Sequence, residues 1–284
     1  MTITVRKLSE HLGAEVDGVD IASGVDTSTF EQLRAAFYEH TVLVFHDQHL
    51  SDEQHIAFSE GFGPLEPSLP SDPLGDGRLF RISNVDDYGE IISPDDTRAL
   101  YIAGNTLWHS DGAFREVPLR ASLLFAQVVP PTGGETEYAS LRAAYNTLSE
   151  EKKDQLGDLI VMHSMAHSRA QIAPDLMTEE FEKATPPVKH PLIRTIPETG
   201  ERVLFVGSYA FEIVGWPQEK GKALLEELLV LATQPRFVYR HEWRVNDLVM
   251  WDNRLCLHRG RPWETGRYKR IMRRTTLAGN EPTL

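Results

Sequence analysis

The sequence is poor in cysteine, in long apolar runs and in basic residues, and each shortage excludes a class of protein. The single cysteine, Cys256, excludes an intrachain disulfide and fits a reducing compartment. The first residues lack the apolar core of a secretory signal, and no run approaches the roughly 18–20 apolar residues of a membrane span. We therefore expect a soluble, cytoplasmic protein that has no membrane partner.

Acidic residues outnumber basic ones, with 42 Asp and Glu against 29 Lys and Arg, so the formal charge is −13. Such a surface repels the phosphates of nucleic acids and of anionic lipids, and neither is expected as a partner. The 284 residues suffice to bury a core without disulfides or structural metals. No internal repeat or boundary is visible, and we expect one domain spanning residues 1–284.

Capping patterns indicate where two helices begin. Ser28 followed by Glu31, and Ser51 followed by Gln54, are capping-box spacings ahead of apolar stripes. Between the two predicted helices, residues 42–45 form a short apolar run that predicts a buried strand.

The composition of the chain changes at residue 65, and its hydrophobic pattern changes after residue 107. Residues 65–105 are rich in Pro, Gly, Asp and Ser, with one strand predicted around 80–82, which is typical of a lid or binding loop. After residue 107, short strand-like runs alternate with turns, and Asn246-Asp247 predicts a hairpin turn. The pattern favours a mainly β fold, a sandwich or barrel with flanking helices.

A metal site is suggested by one spacing among the 11 histidines. His109 and Asp111 form the sole His-x-Asp or His-x-Glu pair, and in an extended segment both side chains face the same way. His258, after a strand-like run, is the candidate third ligand. Two imidazoles and a carboxylate leave three open octahedral positions, which suits non-haem Fe(II). A zinc hydrolase, or a hydrogen-bonded pair without metal, fits the same spacing.

Basic residues are concentrated near the end of this acidic chain. Residues 254–274 contain eight Lys and Arg against Glu264 alone, a local charge of +7. Guanidinium groups bind carboxylates bidentately, so the cluster predicts a site for an anion. The alternative is a solvated surface whose charges pair with acidic neighbours.

Four segments in this order resemble the TauD/TfdA family of Fe(II)- and 2-oxoglutarate-dependent dioxygenases. They are WHSD at 108–111, PPTGGET at 130–136, WDNR at 251–254 and KRIMRR at 269–274. Segments 141–145 and 237–241 are similar to the 2,4-dichlorophenoxyacetate dioxygenase branch. The resemblance implies a double-stranded β-helix, a cupin-like jelly roll with helices outside. It also implies a homo-oligomer, a dimer or tetramer.

The resemblance assigns roles to seven residues. They are His109, Asp111 and His258 for the metal, Thr136 and Arg270 for 2-oxoglutarate, and Arg274 and Asn105 for the substrate. It implies that O₂ and 2-oxoglutarate are consumed, succinate and CO₂ are released, and a C–H bond of a small organic acid is hydroxylated. An aryloxyalkanoate, whose ether would be cleaved, is the expected substrate, and a sulfonate such as taurine is the alternative.

The sequence departs from the family in one loop. Other members place a histidine or a lysine after the Gly-Pro pair to hold the substrate's anionic group, whereas residues 65–70 contain no basic residue. Arg274 still predicts a small substrate that carries a carboxylate.

Overall fold

The computed structural model describes residues 3–69 and 74–284, and within these ranges it contains eight α-helices and sixteen β-strands. The helices are α1 (Thr27–His40), α2 (Asp52–Glu60), α3 (Thr97–Ala103), α4 (Leu141–Asn146), α5 (Glu150–Leu156), α6 (Met165–Ala170), α7 (Glu179–Ala184) and α8 (Gln218–Ala232). The first eight strands are β1 (Thr4–Lys7), β2 (Ala14–Asp17), β3 (Val42–Phe45), β4 (Gly75–Asp76), β5 (Leu79–Ser83), β6 (Ala121–Val128), β7 (Thr136–Ser140) and β8 (Ile160–His163). The others are β9 (Val188–Pro191), β10 (Ile193–Thr195), β11 (Arg202–Leu204), β12 (Ala210–Ile213), β13 (Val238–His241), β14 (Leu248–Asp252), β15 (Cys256–Gly260) and β16 (Ile271–Leu277).

A large sheet and a small sheet face each other. The large sheet has eight strands in the order β1-β2-β3-β14-β6-β16-β5-β4, antiparallel except for the pair β2–β3. The small sheet has the order β13-β7-β15. Tyr138 of β7 and Cys256 of β15 pack in one apolar cluster with Val44, Leu124 and Trp251 of the large sheet. The expected mainly β fold with flanking helices is confirmed.

Alternation along the strands gives the large sheet a second apolar face. Leu43, Leu123 and Met250 point away from the small sheet and pack with Leu33 and Phe37 of α1. A third cluster, on the far side of the small sheet, joins β7 and β15 to α4, α5 and α8. The chain is thus layered as helices, large sheet, small sheet and helices, with the two sheets enclosing the central space.

Local sequence signals identified some elements and misplaced others. Ser51 and Gln54 form the predicted capping box. The prediction at Ser28 is wrong, because the side chain of Asp26 accepts from the Thr29 amide and the helix begins at Thr27. The hairpin at Asn246 is also wrong: the turn is real, with φ 68° at Asn246, but β13 and β14 belong to different sheets.

The described part of residues 65–105 contains more regular secondary structure than its composition suggests. It contains the predicted strand as β5, but also β4 and the helix α3, whose N-cap Asp96 accepts from the Arg98 amide. Residues 70–73 of this segment lie outside the described residues. The lid function stays a prediction. No helix in the described ranges is long and apolar enough to cross a membrane.

Candidate functional site

The two predicted histidine ligands are joined through their backbones. The His109 amide donates to the His258 carbonyl at 3.0 Å, and the His258 amide donates back to His109 at 2.8 Å. His258 lies within β15, which pairs with β7 in the small sheet. A segment far away in sequence is therefore fixed beside β15 by two backbone hydrogen bonds.

The structure brings His109, Asp111 and His258 together, with one potential ligand atom of each within 4.8 Å of the others. Nε2 of His109 lies 3.8 Å from Oδ1 of Asp111, and Nε2 of His258 lies 3.8 Å from Oδ2. Nδ1 of His109 lies 2.7 Å from the Leu107 carbonyl, a contact that makes Nδ1 the protonated nitrogen and leaves Nε2 free to bind a metal.

Burial, together with the charge of Arg274, sets the protonation of these three groups. Burial lowers the pKa of His109 and lowers that of His258 well below its usual value, so both rings are neutral at pH 7. Burial opposes ionisation of Asp111, but the positive charge of Arg274, helped by the hydrogen bond from Ser122, outweighs it and holds the pKa of Asp111 well below its usual range. Neutral imidazoles and an ionised carboxylate are the forms that bind metal ions.

Asp111 is oriented by a hydrogen-bond network of three side chains, those of Ser122, Asn253 and Trp251. Ser122 donates its hydroxyl to Oδ2 of Asp111 at 2.7 Å, and Oδ1 of Asn253 accepts from the Asp111 amide at 3.2 Å. Asn253 in turn donates to Ser122 at 3.0 Å and accepts from the indole of Trp251 at 2.9 Å. These are the supports through which proteins fix a carboxylate ligand.

Arg270 is a buried cation without an acidic partner among the described residues. It is 6% exposed, its Nε has no hydrogen bond, and burial lowers its pKa to about 10, which leaves it charged at pH 7. The backbone amide of Arg270 donates to Oδ1 of Asn84 at 2.7 Å, and the ring of Trp263 lies 5.3 Å from the guanidinium carbon. A buried unpaired guanidinium is costly, and an anionic ligand would offset that cost.

A narrow cavity of about 40 Å³ between the two sheets connects these groups. Its walls are Ile82, Asn105, His109, Leu124, Thr136, Trp251, His258, Gly260, Arg270 and Arg274. The volume suits two or three water molecules at about 15 Å³ each, less than a dicarboxylate needs.

Arg274 and Thr136 are the remaining predicted contacts for anions. Arg274 donates from Nη1 to Oδ1 of Asp111 at 2.8 Å and lies over the Phe80 ring at 5.0 Å. Thr136 accepts a hydrogen bond of 2.9 Å from the indole of Trp243, so its hydroxyl proton is available to another acceptor. Asn105 is half-buried in the 3-10 turn Gly104–Thr106.

Other arginines of the basic segment are paired with acids, as the alternative interpretation expects. The pairs are Arg254 with Asp252 and Glu198, Arg259 with Glu137, Arg267 with Glu264, and Arg273 with Asp52. Within the basic segment, Arg270 and Arg274 line the cavity, and the anion-binding interpretation is kept for these two, although Arg274 also pairs with Asp111.

The residues present fit an Fe(II) ion and a dicarboxylate. Two neutral imidazoles and an ionised carboxylate form a donor set with room for further ligands. Arg270 is a buried guanidinium in the same cavity, where a carboxylate can reach it. The orienting residues Asn253, Asn84 and Trp243 were not found from the sequence, although Asn253 lies within a family-like segment.

The comparison with known proteins agrees with this site. A family model described as "Taurine catabolism dioxygenase TauD, TfdA family" matches residues 4–276. The chain is 38% identical over 282 residues to the alpha-ketoglutarate-dependent 2,4-dichlorophenoxyacetate dioxygenase of Cupriavidus pinatubonensis, covering 98% of both chains. It is 35% identical to the (S)-phenoxypropionate/alpha-ketoglutarate-dioxygenase of Sphingobium herbicidovorans, covering 97% of this chain and 95% of the relative.

Solved structures of similar proteins indicate the same family. The crystal structure of AAD-2 in complex with Mn(II) and N-oxalylglycine superimposes with a TM-score of 0.92 at 40% identity, covering 100% of this chain and 99% of that one. A taurine dioxygenase from Burkholderia xenovorans gives 0.81 at 32% identity, covering 99% and 91%. The chain belongs to the TauD/TfdA family of jelly-roll dioxygenases, which require Fe(II), 2-oxoglutarate (alpha-ketoglutarate) and O₂.

Proposed function

We propose that this dioxygenase hydroxylates a small aryloxyalkanoate at the carbon between the ether oxygen and the carboxylate. The observation that carries the proposal is the placement of the buried, acid-free guanidinium of Arg270 in one cavity with the His109–Asp111–His258 cluster. Two relatives, a 2,4-dichlorophenoxyacetate dioxygenase and an (S)-phenoxypropionate dioxygenase, support this substrate class.

Each site residue has a proposed task. His109, Asp111 and His258 hold the Fe(II) ion, while Arg270 and the hydroxyl of Thr136 bind the distal carboxylate of 2-oxoglutarate. When bound, Fe(II), 2-oxoglutarate and O₂ supply the oxidising power to hydroxylate a C–H bond, with succinate and CO₂ as products. The chain itself supplies orientation, fixed charge and exclusion of water.

Arg274 is proposed to bind the substrate's carboxylate, with Asn105 beside it. Arg274 lies over Phe80, which belongs to an apolar cluster with Tyr101, Phe114 and Tyr209. We call this cluster the aromatic cluster. A guanidinium at its border suits a ligand with a carboxylate at one end and an aryl ring at the other.

The test is a substrate screen coupled to succinate release. Phenoxyacetates, both enantiomers of phenoxypropionate, cinnamates, taurine and an alkyl sulfate would be compared in the presence of Fe(II), 2-oxoglutarate and O₂. We expect the aryloxyalkanoates to have the highest kcat/KM. Preferred turnover of taurine or the alkyl sulfate would overturn the substrate class, and hydrolysis without succinate would favour a zinc hydrolase. The Asp111→Ala variant is the control for background turnover.

A further inference from the structure

A second buried arginine, outside the predicted site, has no acidic partner in the part of the chain that the structure describes. Arg169 lies in α6, is 3% exposed, and its Nε has no hydrogen bond. Its guanidinium stacks on the ring of Tyr101 with 4.4 Å between the guanidinium carbon and the ring centre. A buried cation without a counter-charge is costly to keep, and an anion that reached it would offset that cost.

Arg169 packs against the wall of the active cavity. A Cβ added to Gly104 would lie 2.3 Å from its Nη1 and 2.7 Å from its guanidinium carbon, so the group lies directly on that glycine. The next residue, Asn105, lines the cavity. Burial raises the pKa of Tyr209, and the neighbouring Arg169 charge opposes the rise. The Tyr209 ring is 6.2 Å from the ring of His109 and edge-on to it.

Two guanidinium groups therefore border the aromatic cluster. Arg274 lies over Phe80 at 5.0 Å, and Arg169 lies over Tyr101 at 4.4 Å. Phe80 and Tyr101 belong to the same cluster, together with Tyr209. The cluster is apolar, so a ligand anion within it would be poorly solvated and would interact strongly with both cations.

We propose that Arg169 is a second binding residue for the substrate's carboxylate, acting with Arg274 to select anionic aromatic substrates. This inference rests on the proposed function and adds a specificity-determining residue to it. It accounts for the missing basic residue at 65–70, because the second cation comes from α6 on another wall of the site.

The variants separate this role from a structural one. Arg169→Met removes the charge while keeping an apolar stem over Tyr101. Gly104→Ala keeps the arginine but displaces its guanidinium, and its backbone, at φ −58°, accepts alanine without strain. Arg194→Met is the matched control, since Arg194 is also buried at 9% exposure and stacked on an aromatic ring, Phe205, at 4.7 Å.

The measurement is calorimetric binding to the Mn(II) and N-oxalylglycine form of the full chain. The ligands are the best carboxylate from the screen above and its uncharged amide. For Arg169→Met we expect the Kd of the carboxylate to rise about 10- to 100-fold, the loss of one charged hydrogen-bond partner. Gly104→Ala should give a smaller rise in the same direction, and Arg169→Lys a partial recovery. The Kd of the amide and of N-oxalylglycine should stay unchanged, as should all values for Arg194→Met.

Two results would overturn the inference. If Arg169→Met binds the carboxylate as the unmodified protein does, or loses the carboxylate and the amide equally, Arg169 has no role in anion recognition. If the unmodified protein binds no carboxylate in the panel, the proposed function fails as well. The two failures are thus distinguished by the unmodified protein alone.

Discussion

Arg274 donates a hydrogen bond of 2.8 Å from Nη1 to Oδ1 of Asp111. The proposed substrate anchor and the proposed metal ligand therefore share a charge pair, in which the Arg274 side chain is 14% exposed and that of Asp111 is 8% exposed. A metal ion would compete with Arg274 for the carboxylate of Asp111. A substrate carboxylate would compete with Asp111 for the guanidinium of Arg274. Metal binding offsets the charge of Asp111 and weakens its attraction for Arg274.

We predict that metal binding tightens substrate binding. Mn(II) should lower the Kd of a substrate carboxylate, because it frees the guanidinium of Arg274 from Asp111. By linkage, the substrate should tighten Mn(II) binding by the same factor, about 5- to 150-fold for typical coupling energies. Calorimetric titrations of the carboxylate with and without Mn(II), and of Mn(II) with and without the carboxylate, measure the two changes in affinity. The coupling should be lost in Arg274→Met, and equal affinities with and without Mn(II) in the unmodified protein would contradict it.

The roles of Arg274 and Asp111 can be separated by spectroscopy. Anaerobic Fe(II) and 2-oxoglutarate should give a weak visible charge-transfer band, which Asp111→Ala abolishes or strongly weakens. Arg274→Met should keep the band but turn over substrate poorly, because it removes an anchor of the substrate and no metal ligand. Asp87→Ala, on an exposed carboxylate, is the control. Equal loss of band and turnover in Arg274→Met would show that the roles are wrongly divided.

Arg270→Met should separate cosubstrate affinity from protein stability. We expect 2-oxoglutarate binding to weaken by about 2–5 kcal/mol, the usual effect of truncating one partner of a buried charge pair. In the absence of cosubstrate, Tm should stay the same or rise, since the variant no longer buries an unpaired cation. Scanning calorimetry with and without 2-oxoglutarate measures both quantities. Arg267→Met, at a side chain that is 68% exposed, should change neither.

Stability should fall on mild acidification because of His55. Burial lowers the pKa of this side chain to about 4, from 6.5 in the unfolded chain. Between these values the unfolded chain binds a proton that the folded protein does not, so the free energy of unfolding falls as the pH falls from 6.5 to 4. The contribution is on the order of 3 kcal/mol. Urea unfolding at pH 7, 5.5 and 4.5 should show a shallower fall for His55→Gln.

The control for that experiment is His49→Gln, at an exposed histidine in the same region. This variant should follow the pH dependence of the unmodified protein. If His55→Gln has the same pH dependence as His49→Gln, the burial of His55 is not a source of acid sensitivity.

The proposed metal ligands should keep their arrangement without metal. The mutual backbone hydrogen bonds of His109 and His258 hold the two ligand segments together independently of any ion. Removing the metal with a chelator should therefore leave the near-ultraviolet circular dichroism unchanged. Loss of the aromatic signal would show that the ion organises the site. The metal's effect on Tm should follow its concentration and Kd alone.

The sequence could predict elements that rest on local signals. The capping box at Ser51 and the apolar run at 42–45 each occupy a few consecutive residues, and both are present. The cap at Asp26 was missed because Ser28 and Glu31 offer the same local chemistry two residues later. The turn at Asn246 was recognised, but nothing local tells which sheet each flanking strand joins.

The candidate site was predicted where its residues carry distinctive chemistry. His109, Asp111, His258 and Arg270 were identified by spacing, charge and family resemblance. The fold brings the first three together and places His109, His258 and Arg270 around one cavity. Residues that contact the site from distant parts of the sequence show no recognisable spacing or motif. Asn84 meets Arg270 across 186 positions of chain. Arg169 stands in a helix of ordinary composition, and its burial without an acid is visible only in three dimensions.

Arg270 directly precedes β16 and Arg274 lies within it, so the backbone between the two arginines has little freedom to change its length. Four residues of extended chain separate the proposed cosubstrate anchor from the proposed substrate anchor by about 13 Å. β16 is hydrogen-bonded to β6 on one side and β5 on the other, so an insertion between the arginines would disrupt both pairings. The segments that connect the strands can therefore differ in length without altering the interval between the two proposed anchors, because the pairing of β16 sets that interval.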